Sequence, residues 1–464
     1  MNQFLPTDPG RRRLLFGAGL IGAAQLFPFG SMLAMAGQGR GQSLSKGFGP
    51  LRPVRDLNTG LPLLELPEGF SYTTFGWAGE MLDGDVVCPG AHDGMGIVAA
   101  DGDLITLVRN HELTRTAGAI GPAESHYDPI CPGGTVTLQF DLSKQQLRRT
   151  WSSLSGTMQN CAGGVTPWGS WLSCEEYVAD AGMIDPRGGL PLNKDHGFLF
   201  EVPASGLSQA RPLRAMGQFR HEAAAVHLAS GDVYLTEDCE PAAGFYRFVP
   251  NQPGKLDAGG QLLMLKAKGR QELRSGLKVG QSFDVEWLPI EHPDRGIDHQ
   301  QGTIFGVQKQ GFAQGASRFT RLEGCFAEND AVYFTATNGG DAVSGQVFVY
   351  RPGAAQLELL YESQDPSVLD YPDNICPSPR GGLLICQDGK QERQHLYGLS
   401  AAGQLFQFAR QNVMLDGAQG FSGDFRRAEW AGSCFSPDGR YLFANIYSPG
   451  FSVAITGPWQ KGLL

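Results

Sequence analysis

The chain has 464 residues, with 37 Lys and Arg against 47 Asp and Glu, a formal net charge of −10. Its 64 glycines and 29 prolines make up roughly one residue in five, and only 18% of residues are charged, below the usual quarter. The turn density excludes a coiled coil or long helical bundle, the 41% hydrophobic content excludes disorder, and an acidic chain with no Lys/Arg cluster beyond its N-terminus excludes a nucleic-acid binder. A large all-β globular protein is what remains.

In chain order the first element is an address. Arg11, Arg12 and Arg13 precede an apolar run from Leu14 to Phe29, and Ala34-Met35-Ala36 reads as an A-x-A-like cleavage site. Three arginines directly before Leu14, Leu15 and Phe16 have the form of a twin-arginine signal, which hands folded proteins to the Tat export machinery. The run is about 16 residues and broken by glycines, short of the roughly 20 that cross a bilayer, so no stable membrane anchor is expected. Residues 1–36 are read as the signal, 37–464 as one domain, and the mature protein as periplasmic or secreted. Nine cysteines then face an oxidising compartment, and an odd number leaves at least one unpaired in a monomer. Most lie in apolar strand-like runs and read as small buried hydrophobes, whereas Cys161, between Asn160 and Ala162-Gly163-Gly164, sits in a loop-like setting where a thiolate can be a ligand.

From residue 92 onward a unit repeats six times: polar residues, a short β-type run, a tight turn, and a second run ending in polar residues. The turns are Asp101-Gly102, Trp168-Gly169, Ser230-Gly231, Asn329-Asp330, Arg380-Gly381 and Asp438-Gly439. The first runs open near His92-Asp93, Asn160-Cys161, His221-Glu222, Arg321-Leu322-Glu323, Asp373-Asn374 and Glu429. The second runs end near Asn110-His111-Glu112, Glu175-Glu176, Glu237-Asp238, Asn338, Asp388 and Asn445. The turns are spaced 67, 62, 99, 51 and 58 residues apart, which suits the four-stranded blades of a six-bladed β-propeller with loop insertions. The 99-residue interval predicts an insertion near residues 250–318.

Such a fold gathers Glu175, Glu176, Glu222, Glu237, Asp238, Glu323, Asp373 and Asp388 at one mouth. Carboxylates at close range raise each other's pKa until protons or cations neutralise them, and oxygen-rich sets suit calcium. A thiolate among them recruits a softer or more highly charged transition ion such as iron or zinc. Glu175 and Glu176 are adjacent, so on a strand only one faces inward unless a bulge intervenes. Arg321 stands two residues before Glu323, the same-face spacing, either to bind substrate or as an internal ion pair. There is no G-x-S-x-G elbow, P-loop or H-E-x-x-H motif, so the sequence offers metals rather than a triad.

These motifs resemble the PhoX-type alkaline phosphatases. The likeness is carried by Asn110-His111-Glu112, by Asn160-Cys161-Ala162-Gly163-Gly164-Val165-Thr166-Pro167-Trp168-Gly169 running on to Cys174-Glu175-Glu176, by His221-Glu222 and by Arg321-Leu322-Glu323, and it extends from about residue 45 to the end. It implies an exported phosphomonoesterase on a six-bladed propeller, with iron (a ferric pair) joined by Cys161 and with calcium beside it. It further implies Glu222, Glu323, Glu175 or Glu176, and Asp373 as metal ligands, Arg321 as the catalytic group holding the phosphate of a small ester, and Asn110 as a substrate-binding residue. The chain is shorter than the larger members of that family. The other function class is a calcium-dependent propeller of another activity, such as a lactonase or phosphotriesterase-like hydrolase, or a non-catalytic binding module. Cys161 divides the two, since a calcium-only site has no use for a thiolate.

The signal reading has a direct check. Replacing Arg11, Arg12 and Arg13 together by Lys keeps the charge and removes the receptor-read motif, so unprocessed precursor is expected in the cytoplasm by cell fractionation. Normal export of that variant identifies a general secretory signal instead.

Overall fold

The computed structural model describes residues 44–187 and 189–464, and the export-signal assignment lies outside them. The described chain is built of β-strands, with one α-helix, Gly306–Ala313. Each of the six turns read from the sequence joins two antiparallel strands. The first strands of these pairs are His92–Asp101, Asn160–Val165, His221–Val226, Leu322–Glu328, Pro372–Pro377 and Trp430–Phe435. Each packs against the next and the last against the first, so they form a closed ring with their sheets radiating outward in a propeller-like arrangement.

The sheets vary in width. The His92–Asp101 strand heads a four-stranded sheet and the Asn160–Val165 strand a three-stranded one. The sheets headed by His221–Val226 and Leu322–Glu328 are joined into one of nine strands, because Ser282–Pro289 pairs with Gly260–Ala267 on one side and with Gln356–Glu362 on the other. That strand and the helix occupy the segment where the sequence predicts an insertion. Ring closure is a pairing between chain ends: Ser71–Phe75 adds to Phe451–Thr456, with Thr73 opposite Ala454, as the outermost strand of the last sheet. This covers an edge that would otherwise expose unpaired backbone.

Alternating residues on facing sheets interlock. Leu172 and Cys174 of one sheet meet Val233, Leu235 and Phe248 of the next, and Trp77, Trp430, Phe408 and Trp459 fill the space around the closing sheet. Each such side chain contributes about 1.5–3 kcal/mol by leaving water. All nine cysteines are buried and unpaired, as small apolar fillers would be, Cys161 excepted because it stands among carboxylates.

At their closest approaches the ring strands leave room only for glycine. A Cβ on Gly164 would lie 1.8 Å from the Ala224 carbonyl oxygen, and one on Gly163 2.0 Å from that of Leu172. Gly164→Ala is therefore expected to destabilise the fold by on the order of 3 kcal/mol. Gly90→Ala, with nothing within 4 Å of the added carbon, should stay within about 0.5 kcal/mol. Equal denaturant midpoints for the two variants would contradict this close packing.

Candidate metal centre

All six ring strands carry a β-bulge at the same level. The register jumps from His92/His111 to Met95/Arg109, from Asn160/Glu175 to Gly163/Ser173, from His221/Glu237 to Ala224/Leu235, from Leu322/Ala336 to Cys325/Phe334, from Pro372/Gln387 to Ile375/Ile385, and from Ala431/Asn445 to Cys434/Phe443. Each jump leaves two residues opposite one, and a bulge re-aims the side chain it carries. The first bulged residue on five strands is Asp93, Cys161, Glu222, Glu323 or Asp373. On the sixth it is Gly432, and the carboxylate comes from Glu429 just ahead of the strand. Cys161 thus lies in a strand, not in the loop-like setting expected of it. Gly163 and Gly164 are there because the neighbouring backbone leaves no room for a Cβ.

Polar side chains tie each bulge to its neighbour. The Asn110 amide donates to the carbonyls of Cys161 (3.1 Å) and Ala162 (2.6 Å), the Cys161 thiol approaches the His221 carbonyl at 3.2 Å, and the Thr236 and Thr335 hydroxyls donate to the carbonyls of Glu323 (2.6 Å) and Asp373 (2.8 Å). The Gly432 N–H donates to Asn374 Oδ1 (2.7 Å), and the Asn445 amide donates to the Asp93 carbonyl. The bulges are thereby fixed around the whole ring.

Donor atoms converge in three adjoining groups: Cys161, Glu176 and Glu222; Glu222, Glu323 and Asp373; Asp373, Asp388 and Glu429. Within each, one ligand atom per residue lies within 4.8 Å of the others. Glu222 and Asp373 each belong to two groups, so the array is continuous. Burial, with neighbouring carboxylates adding to it, pushes Asp93, Glu222, Glu323 and Glu429 well above the usual carboxylate range and Glu176 and Asp373 up to about 8. Burial together with Glu222 and Glu176 likewise raises the Cys161 thiol. Below the array the channel is mainly apolar, a cavity of about 90 Å³ lined by Ala162, Ala223, Gly324, Cys325 and Cys434 among others.

Two arginines answer this charge. Arg321 donates from Nε to Asp238 Oδ1 (3.0 Å) and from Nη2 to Asp238 Oδ2 (3.1 Å) and Glu323 Oε1 (2.5 Å). Arg220 is bonded to Glu176 and has Nη2 3.8 Å from Asp238 Oδ2. The second oxygen of Glu176 accepts from Gln159 Nε2 at 2.7 Å. Burial works against both guanidinium charges, but the carboxylates outweigh it and hold both arginines charged beyond their ordinary range.

Three residues expected at the mouth are otherwise engaged, the first being Glu237, which accepts from Gly244 N (2.8 Å), the Tyr246 hydroxyl (3.0 Å) and Gln308 Nε2 (3.1 Å). Glu175 faces away from its neighbour Glu176: its Oε1 accepts from Met158 N (2.9 Å) and His196 Nδ1 (2.6 Å), and its Oε2 from Gly197 N (2.8 Å) and Phe198 N (3.2 Å), so no lone pair is left for a cation. The Asn110 oxygen accepts from Trp171 Nε1 and Ser173 Oγ, both at 2.9 Å, while its two N–H groups hold the Cys161 bulge, leaving nothing for substrate. Conversely, Asp93, Glu112, Arg220 and Glu429 join the site without having been assigned to it, whereas Asp388 lies in it as expected. For Asp93 a signal exists in the sequence: Asp93-Gly94, Cys161-Ala162, Glu222-Ala223 and Glu323-Gly324 share a donor followed by a small residue. The second position packs against the adjacent strand, where a Cβ on Gly94 would be 2.5 Å from the Ala162 Cα.

A propeller-like chain whose ring strands converge on a thiol and a set of carboxylates is thus defined by fold and site. The sequence model of the alkaline phosphatase PhoX family matches residues 46–130 and 133–450, and the chain belongs to that family. No curated protein matches it. Solved structures similar to it include a luciferin-regenerating enzyme (8% identity, 84% of this chain and 96% of that one, TM-score 0.40). Two others are the Cps50 (Swd1) β-propeller domain of Myceliophteria thermophila (11%, 79% and 83%, 0.37) and a putative 6-phosphogluconolactonase from Bacteroides uniformis (13%, 78% and 79%, 0.36).

The raised carboxyls set a pH dependence. A carboxyl whose pKa is higher in the folded than in the unfolded chain stabilises the fold below its unfolded value, near 4, and that stability is lost as pH rises through the folded value. Protein stripped of cations should therefore melt at progressively lower temperature between about pH 4.5 and about pH 8, the latter being where Glu176 and Asp373 titrate. Added calcium should restore most at the alkaline end. A calcium effect that does not grow across this window contradicts the arrangement.

Proposed function

We propose that the protein is an exported, metal-dependent phosphatase that hydrolyses small phosphate monoesters at the mouth of a six-bladed propeller. The six-strand ring, with four strands heading separate sheets and two at the opposite ends of the joined nine-stranded sheet, supports the blade count. Family membership supports the phosphatase class, and the arginine-led apolar segment at residues 11–29 supports Tat-dependent export to the periplasm or beyond.

The observation that carries the reading is the composition of the donor groups. Cys161 with Glu176 and Glu222 offers one sulfur and two carboxylates, a set suited to iron, while Glu222/Glu323/Asp373 and Asp373/Asp388/Glu429 offer oxygen alone, as calcium requires. The residues therefore fit iron at the Cys161 group bordered by calcium at the other two, with Glu222 and Asp373 each able to serve two groups, and a ferric pair joined by Cys161 is what membership of the PhoX family implies. Such cations supply Lewis acidity that polarises the phosphoryl group and activates the attacking oxygen. The chain itself provides the rest. The Arg321 guanidinium, permanently charged and about a quarter exposed, presents a fork that matches phosphate oxygens. Burial of the carboxylates around it lowers the local dielectric, so each charge aimed at the developing phosphoryl anion counts for more.

Cys161→Ser tests the assignment. The swap preserves volume, so a merely structural thiol would lose about 1–2 kcal/mol of stability and nothing else. The variant is expected to fold, to lose iron and visible charge-transfer colour, and to hydrolyse p-nitrophenyl phosphate at least 100-fold more slowly. Full iron content with full activity would move the assignment to a calcium-only propeller.

A further inference from the structure

Arg220 and Arg321 occupy equivalent places on neighbouring ring strands. Each directly precedes its strand, His221–Val226 or Leu322–Glu328, and stands two residues ahead of a bulge glutamate, Glu222 or Glu323. Two guanidinium groups are thus delivered to one level of the mouth, and both close on the same carboxylate. Arg321 grips Asp238 as a fork, at 3.0 and 3.1 Å, and Arg220 stands 3.8 Å from Asp238 Oδ2. Their other partners lie in different donor groups, Glu176 beside Cys161 for Arg220 and Glu323 beside Asp373 for Arg321. The pair therefore straddles the junction at Glu222.

We propose that Arg220 is a second phosphate-binding residue, and that Asp238 occupies the place the substrate's phosphoryl group takes between the two arginines. The proposal rests on the phosphatase reading and adds to it a residue and an internal competitor. A carboxylate offers two oxygens to a guanidinium fork, whereas a phosphate monoester offers three, enough to engage both arginines at once. Access is adequate: the side chains of Arg220 and Arg321 are 33% and 26% exposed, while Asp238 lies beneath them at 8%. An internal anion that must be displaced weakens product binding as well as substrate binding. Release of inorganic phosphate is thereby eased from a site that cations would otherwise make adhesive.

The test uses the metal-loaded enzyme and inorganic phosphate as the probe. Phosphate affinity is measured by calorimetry and as competitive inhibition of p-nitrophenyl phosphate hydrolysis, with metal content determined for every variant. Arg220→Ala is expected to weaken phosphate at least tenfold and to raise KM with iron and calcium unchanged, and Arg220→Lys to recover part of the loss. Asp238→Asn, which removes the competing charge, is expected to bind phosphate several-fold more tightly than wild type. Wild-type phosphate affinity in Arg220→Ala beside a loss in Arg321→Ala would assign the anion to Arg321 alone and overturn the proposal. So would loss of metal from Arg220→Ala, which would make Arg220 a support for Glu176. Weakened phosphate binding in Asp238→Asn would make Asp238 a brace for the arginines rather than a stand-in. Metal-loaded wild type that binds no phosphate would instead defeat the phosphatase reading on which the proposal stands.

Discussion

Everything at this mouth follows from forcing like charges together out of water. Asp93, Glu112, Glu176, Glu222, Glu323, Asp373, Asp388 and Glu429 all have their ionised forms penalised by burial. Two guanidinium groups bond these carboxylates directly, Arg220 and Arg321, and a third, Arg187, acts on Glu112 from the far side of Gln159. A protein that stabilises itself would fill such a place with apolar side chains, because buried charge is costly even when paired. Retaining this many acids is what the proposed bound cations would account for.

The scaffold is arranged so that the acids cannot move apart. Bulges on five ring strands each turn one side chain into the mouth, Glu429 serves the sixth from just ahead of its strand, and hydrogen bonds from Asn110, Thr236, Thr335 and Asn445 fix the bulge carbonyls one to the next. Below, glycines and alanines bring the strands too close for any slack. Outside the array are two other Cys/His-bearing groups, of which the second is closed by its own partners. Cys88 accepts from the buried Arg109 guanidinium at 3.2 Å, and His196 is held between Glu175 at 2.6 Å and Asp128 at 3.7 Å. In the second, Glu175 and Asp128 also accept backbone N–H groups, so charge and hydrogen bonding are satisfied without a metal.

The repeat was legible because turn dipeptides and strand runs are local features, and all six turns fall between paired strands. The polar arm ends were legible for the same reason. Which arm-end residue points inward was not, because that depends on a bulge, and a bulge is a property of two paired strands rather than of one. Glu175 and Glu176 illustrate this. They are adjacent and chemically identical, but the first is enclosed by four donors and the second meets Cys161 and Glu222. Asn110 illustrates the converse, a polar residue within a motif of the resemblance whose amide is spent on holding the Cys161 backbone. Arg220 was missed because nothing in the sequence says that it and Arg321, 101 positions apart, reach the same aspartate.

The central claim is that cations, not protons, neutralise the array. Anomalous diffraction from crystals of the native protein, collected on either side of the iron absorption edge, addresses it directly. The expected result is an edge-dependent peak among Cys161, Glu176 and Glu222, with further density that lacks the iron signature among Glu222, Glu323, Asp373, Asp388 and Glu429. Native crystals with no anomalous peak at Cys161, and with the carboxyl groups hydrogen-bonded directly to one another at neutral pH, would contradict it.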